Sequence, residues 1–146
     1  MSKKIPSKKI PIKRLKNKIW KEIRALVKER DDYRCFRCGK KVSGSTAHCS
    51  HILPKGEFPG YQFELWNLKT ACHNHHLQWW HKSILSAADF FRRTYPNRYA
   101  FIMKKEKEYK RNNIKTPSRA ALTQLYADLI SKTYPTKKYL LQTRLS

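Results

Sequence analysis

Cys72 to His81 read CHNHHLQWWH, one cysteine, four histidines and two tryptophans in ten residues. An imidazole can ligate a metal, exchange a proton near neutral pH, or contact a phosphate. Upstream, CFRC sets Cys35 and Cys38 two residues apart, with Gly39 directly after. That is the form of a zinc knuckle, in which the glycine permits the tight turn around the ion. Cys72 and His75 repeat the same spacing. Tetrahedral zinc takes four nitrogen or sulfur ligands, and pairs spaced in this way can both face one ion. Cys35, Cys38, Cys72 and His75 therefore make a candidate Cys3His site for a structural Zn2+. Cys49 is the rival fourth ligand, but its alternating, apolar neighbourhood suits a buried thiol better. The C-x-x-C pair and the His-rich segment opened by Cys72 favour metal over disulfides.

His76 follows His75 directly. On an α-helix it points about 100° away, so it does not readily join the same zinc. Its expected neighbour is the strand that carries His51.

The elements that must position these groups are legible in outline. Leu15, Ile19, Ile23, Leu26 and Val27 share one face of a helix predicted over 15–29, with Lys21, Arg24 and Lys28 on another face. After the Gly44 turn, STAHCSHILP alternates as a strand does. Ala47, Cys49, His51 and Leu53 lie on one side, and Thr46, His48, Ser50 and Ile52 on the other. Pro54 ends it, KGEFPGYQFELWN reads as a loop, and a helix should begin near Cys72. SAAD (86–89) has the pattern of a capping box, and that helix should stop at Pro96. A further helix is predicted from Arg98 to about Arg111. Thr116 and Pro117 read as the N-cap and first-turn proline of a last helix, with Leu122, Leu125, Tyr126, Leu129 and Ile130 on its apolar face. ADFFRRTYP (88–96) echoes ADLISKTYP (127–135). Two apolar helices stopped by the same turn explain this without duplication. Trp79 and Trp80 read as packing residues rather than base-stacking platforms.

Over 146 residues the formal net charge is +23, with 33 Lys and Arg against 10 acids. No folding argument requires that imbalance, and self-repulsion opposes compactness. It marks a partner of polyanionic character. A membrane surface is disfavoured: no apolar run is long enough to span one, and the basic N-terminus lacks the apolar stretch of a signal peptide. The expectation is a soluble, intracellular, nucleic-acid-binding protein. A chain this basic, with few large apolar residues near its centre, should also need a metal staple.

YRCFRCGKK … AHCSHILPKG … LWNLKTACHNHH … WWHK resembles the HNH endonucleases, in particular their zinc-stapled, phage-type branch. The resemblance runs from about Tyr33 to Tyr99. It implies an α+β, mostly helical fold with a small zinc-bound ββα-metal, treble-clef-like core of two short strands, a loop and a helix, flanked by N- and C-terminal helices. It implies that His51 is the general base, that Asn67 holds the loop that positions His51, and that His76 ligates a catalytic Mg2+ or Mn2+. It also implies that Cys35, Cys38, Cys72 and His75 bind structural zinc, with His75 where the family usually has cysteine. Many members carry an aspartate or histidine directly before the base as a second metal ligand. Here that residue is Ser50, a poor substitute on a hard cation. His48, His73 and His81 are candidate helpers, though each reads more readily as a surface or phosphate-contacting residue.

The expected function is metal-dependent hydrolysis of DNA, most simply double-stranded, by a single-ion site. The resemblance implies a phage setting such as recombination or intron homing in the bacterial cytoplasm. The expected organisation is a basic flexible arm (1–14), a nuclease domain with its N-terminal helix (15–99), and a DNA-binding helical extension (100–146). Lys21, Arg24, Lys28 and Lys55 are the candidate DNA contacts. The competing expectation is a zinc-finger DNA- or RNA-binding protein with a decayed nuclease site. A pure binder has no need of His51, Asn67 and His76 in that order.

Overall fold

The structure, a computed structural model, describes residues 9–132. Helix α1 (Ile12–Arg30) buries Leu15, Ile19, Ile23 and Val27, a strict four-residue repeat along one face. It starts three residues before Leu15, because Pro11 ahead of it supplies a preset φ and a helix start needs no N–H there. At its other end Asp32 and Tyr33 adopt left-handed φ values of 51° and 52°. Their N–H groups return to the carbonyls of Glu29 and Lys28, which caps the helix and turns the chain into the knuckle. Residues 1–8 of the predicted arm, and the second TYP of the echo at 133–135, lie outside the described residues.

Strand β1 (Ala47–His51) pairs antiparallel with β2 (Leu68–Cys72), with Ser50 opposite Lys69 and His51 opposite Leu68. β1 alternates as predicted. The residues of β2 announce no such pattern because Leu68, Lys69, Thr70 and Ala71 are all buried, so neither face reads as polar. A helical turn follows Cys72, but over His75–Trp80 it is π-helical rather than α-helical.

The segment between the strands is irregular, as expected, yet it is not poor in core. Phe58, Tyr61, Phe63, Leu65 and Trp66 are all buried, which corrects the expectation of a centre with few large apolar residues. Phe63 and Leu65 join Leu68 and the buried face of α1 in one cluster, completed by Leu122 and Leu129. Phe58, Tyr61 and Trp66 join Leu53, Phe91 and Ile102 in a second. Aromatic side chains bury enough area to hold a loop without regular backbone bonding.

Helices α2 (Ile84–Thr94), α3 (Pro96–Arg111) and α4 (Arg119–Ile130) follow. α2 ends just before Pro96, and that proline opens α3 at its first turn. Two predicted caps are displaced. Ser86 and Asp89 lie inside α2, where Asp89 pairs with Arg92 and Arg93 and Ser86 accepts a bond from the Trp79 indole. The cap of α4 is Ser118, whose Oγ accepts the Ala121 N–H at 3.1 Å, two residues beyond Thr116. α4 packs on α1 through Leu122 and Leu129. The result is the expected α+β, mostly helical architecture: a two-stranded sheet and flanking helices around a Cys/His cluster, matching a ββα-metal core. Among the described residues, no helix is long and apolar enough to cross a membrane.

Arg30 and Asp31 lock the end of α1 onto β2. The Arg30 guanidinium bonds both Asp31 oxygens, at 2.8 and 3.0 Å, and the carbonyls of Leu65 and Leu68, at 2.7 and 2.6 Å. Asp31 Oδ2 accepts the Thr70 N–H at 2.8 Å. Burial works to raise the Asp31 carboxyl, but Arg30, Lys69 and the Thr70 N–H outweigh it and hold it below 3.8. Its contribution to stability is therefore present above pH 3.8 and is lost as pH falls through the lower folded value. Removing Asp31 leaves a buried guanidinium without its carboxylate, so Asp31→Ala should cost about 3 kcal/mol in urea unfolding at pH 7. The difference between wild type and Asp31→Asn should shrink as pH is taken below 3.8. A gap that stays constant with pH would show that the pair does not stabilise the junction.

Candidate metal centre

The knuckle is a tight hairpin. Cys35 N–H donates to Lys40 O and Gly39 N–H to Cys35 O, and Gly39 takes the left-handed φ of 72° that the turn requires. Phe36 N–H donates to Thr70 O at 2.9 Å, which sets the knuckle beside β2. Cys35, Cys38, Cys72 and His75 thereby bring one ligand atom each to within 4.8 Å of one another. His75 Nδ1 lies 3.6 Å from Cys35 Sγ and 3.3 Å from Cys72 Sγ. Tetrahedral zinc spaces nitrogen and sulfur ligands about 3.5 Å apart, so these donors fit one zinc ion.

The electrostatics point the same way. Burial works to raise the Cys35 thiol, but the backbone N–H groups of Cys72, Cys38 and Arg37 outweigh it and the net shift is downward. Cys72 is raised, first by burial and then by the charges of Cys35 and Cys38, against the His75 N–H. The raised Cys72 thiol would be drawn back toward thiolate by a cation bound among these ligands. Cys49 is outside the cluster. It packs against the α1 core, and burial pushes its thiol up to about 12.

The other histidines sort by strand face. His51 ends β1 beside Trp20 of α1, with ring centroids 5.1 Å apart. Its Nε2 lies 3.0 Å from the Gln62 carbonyl. A carbonyl only accepts, so Nε2 carries the proton and Nδ1 holds the lone pair of the neutral ring. Burial lowers its pKa, against the Gln62 bond, with Lys55 and His81 adding to the decrease. The Trp80 indole donates to the His51 carbonyl at 2.8 Å. Asn67 is fully buried. Its Oδ1 accepts the Leu53 N–H at 2.7 Å, and its Nδ2 donates to Leu53 O and Tyr61 O. It therefore ties down the chain two residues beyond His51.

His76 faces β1 on the other side. Its Nδ1 lies 2.6 Å from Ser50 Oγ, and the His48 ring stacks on it at 5.0 Å. The π-turn, closed by i→i+5 bonds, brings residues five apart together, so His81 meets His76 edge-on at 4.7 Å. His73 Nδ1 lies 3.2 Å from His48 Nε2. Burial, then the neighbouring imidazoles of His81, His48, His51 and His73, push His76 down to about 4. It is neutral at neutral pH, the form that ligates metals.

A cleft of about 460 Å³ opens along β1, lined by Trp20, Arg24, Lys28, His48, Cys49 and His76 among others. Of the four candidate DNA contacts, Arg24 and Lys28 line this cleft, whereas Lys21 is exposed and not among its lining residues and Lys55 acts on His51 from its loop. The sequence names His48 as a candidate helper but reads it more readily as a surface or phosphate-contacting residue; it lines the cleft and stacks on His76. The signal was present, because His48 and Ser50 have the same strand parity and must face whatever Ser50 faces. The π-turn that adds His81 has no such signal. Trp79 is half-buried beside the Arg37 guanidinium, 5.1 Å from its ring, and Trp80 packs in the second core cluster.

No protein-family model matches the chain, and no curated protein or solved structure is significantly similar to it.

His75→Ala should lose stoichiometric zinc and much of the fold, because binding energy in a structural site is largely folding energy. His75→Cys should keep both, since thiolate suits the same tetrahedral position. Zinc content by elemental analysis and thermal melts decide this. Zinc retained in His75→Ala would exclude His75 as a ligand.

Proposed function

We propose that the protein is a metal-dependent DNA endonuclease of the HNH type, with His51 as general base. The observation that carries the reading is the cleft along β1. His76, Arg24 and Lys28 line it, and His51, with Nδ1 as its basic atom, ends the same strand against the cleft residue Trp20. A chain of net charge +23 supplies the attraction to phosphate.

In this mechanism His51 Nδ1 takes the proton of the attacking water. The Gln62 carbonyl fixes its tautomer, and Asn67 fixes the loop behind it. Arg24 and Lys28 hold backbone phosphates. His76 would hold the catalytic Mg2+ or Mn2+, which supplies positive charge against the phosphate and leaving oxygens. The structural zinc of the Cys3His cluster would keep β2 and the π-turn against the knuckle. The arm (1–14) and the segment 100–146 would extend the grip on DNA beyond the nuclease domain (15–99). One observation favours the competing zinc-finger binder: Ser50, a neutral hydroxyl, stands where the resembled family has a metal ligand.

Zinc-loaded protein should cleave supercoiled plasmid when Mg2+ or Mn2+ is added and not without it. His51→Ala should lose about a hundredfold to ten-thousandfold in rate while keeping zinc and DNA affinity. Protonation removes the base, and burial holds His51 below its ordinary 6.5, so the acid limb of the pH–rate profile should lie below pH 6.5. Cleavage undiminished in His51→Ala would assign the base elsewhere.

Affinity for duplex DNA should fall steeply with salt. Replacing Arg24 and Lys28 together by alanine should flatten the log–log slope by about 2. A slope that does not change would take both residues off the DNA.

A further inference from the structure

Ser50 raises a question that the nuclease reading leaves open: what completes the ion site of His76. The Ser50 hydroxyl is fully buried and lies 2.6 Å from His76 Nδ1. That is a hydrogen-bond distance. Two cis ligands sharing an ion at bonds of about 2.1 Å stand about 3 Å apart, so this pair is bonded to each other rather than to a common cation. Ligating histidines regularly donate their second ring N–H to an acceptor that fixes the tautomer. In the tautomer that donates Nδ1–H to Ser50 Oγ, the lone pair of His76 sits on Nε2 and is open to an ion.

The donors beside that ring are imidazoles. His48 has the same strand parity as Ser50, stacks on His76 at 5.0 Å and lines the same cleft. Among the described residues, no Asp or Glu lines the cleft.

We propose that His48, not Ser50, is the second protein ligand of the ion held by His76, that Ser50 is the positioning residue that orients His76, and that the site takes a divalent transition ion in preference to Mg2+. The proposal rests on the nuclease reading for its purpose, but not for its geometry. Imidazole suits the later first-row ions, whereas Mg2+ seeks carboxylate, carbonyl and water. Two imidazoles on one side leave the remaining positions to water and a phosphate. His73 Nδ1, 3.2 Å from His48 Nε2, is a competitor for that nitrogen, and ion binding exchanges this bond for a metal bond.

The test is calorimetric titration of the zinc-loaded full chain with Ni2+ and separately with Mg2+, with zinc content measured before and after. Wild type should take one Ni2+ beyond its zinc and bind Mg2+ at least a hundredfold more weakly. His48→Phe, which keeps the stacked ring without its nitrogens, and His76→Ala should each lose this binding while retaining zinc and a native melt. Ser50→Ala should weaken it about 10- to 100-fold. His73→Ala should not weaken it. Unchanged Ni2+ affinity in His48→Phe overturns the proposal, as does equal affinity for Mg2+ or the absence of a second ion. Loss in His73→Ala with retention in His76→Ala would place the ion between His48 and His73 and overturn it too. Plasmid cleavage separates the two claims. Ni2+ binding with the expected variant pattern but no cleavage in any ion supports the site and removes the nuclease reading. Cleavage at full rate by His48→Phe supports the nuclease reading and overturns the ligand assignment.

Discussion

The junction of Arg30 and Asp31 with β2 is the contact on which the rest of the molecule hangs. One guanidinium satisfies a carboxylate and two carbonyls, and that carboxylate accepts the N–H of Thr70. Thr70 O in turn accepts from Phe36 of the knuckle. α1, β2 and the knuckle thus meet at one residue. Cys72 follows two positions later, so the register of this junction delivers it to Cys35 and Cys38. Buried charge of this kind is tolerable only when fully bonded.

The junction also sits in a surplus of positive charge. Lys69 and Arg98 are buried nearby. Burial, then the charge of Arg98, push Lys69 down to about 7, with Asp31 pulling the other way. The Lys69 ammonium stands 4.3 Å from the Tyr95 ring centroid, a favourable contact for a cation removed from water. The same physics operates among the histidines. Packed together in a strongly basic chain, His48, His51 and His76 are all held below their ordinary value, with burial as the first cause. Burial, more than the surrounding charge, is what holds these rings toward the neutral form, which can accept a proton or bind a cation.

The two faces of β1 keep these groups apart. Cys49 and His51 turn toward α1, and His48 and Ser50 toward the π-turn. A chain segment of five residues thereby presents His51 on one face and His48 and Ser50 on the other. The cleft along β1 reaches residues of both sides, because among the described residues β2 pairs with it along one edge and the other edge is unpaired.

The sequence by itself determined the local facts: the face of α1, the alternation of β1, the knuckle glycine, and the spacings that single out Cys35, Cys38, Cys72 and His75. Each follows from a period or a turn that a few neighbouring residues specify. It also carried the net charge, which needs no coordinates. Tertiary structure decided the rest. Burial on both faces hid β2, and an aromatic core filled a segment that reads only as a loop. The start of α4 moved two residues, to Ser118, whose side chain makes the capping bond, and α2 begins after Ser83, upstream of the SAAD pattern. The partners of His76 were decided last. The parity of β1 pairs His48 with Ser50, but only the strand pairing brings both to His76, and the π-turn that adds His81 has no signal along the chain.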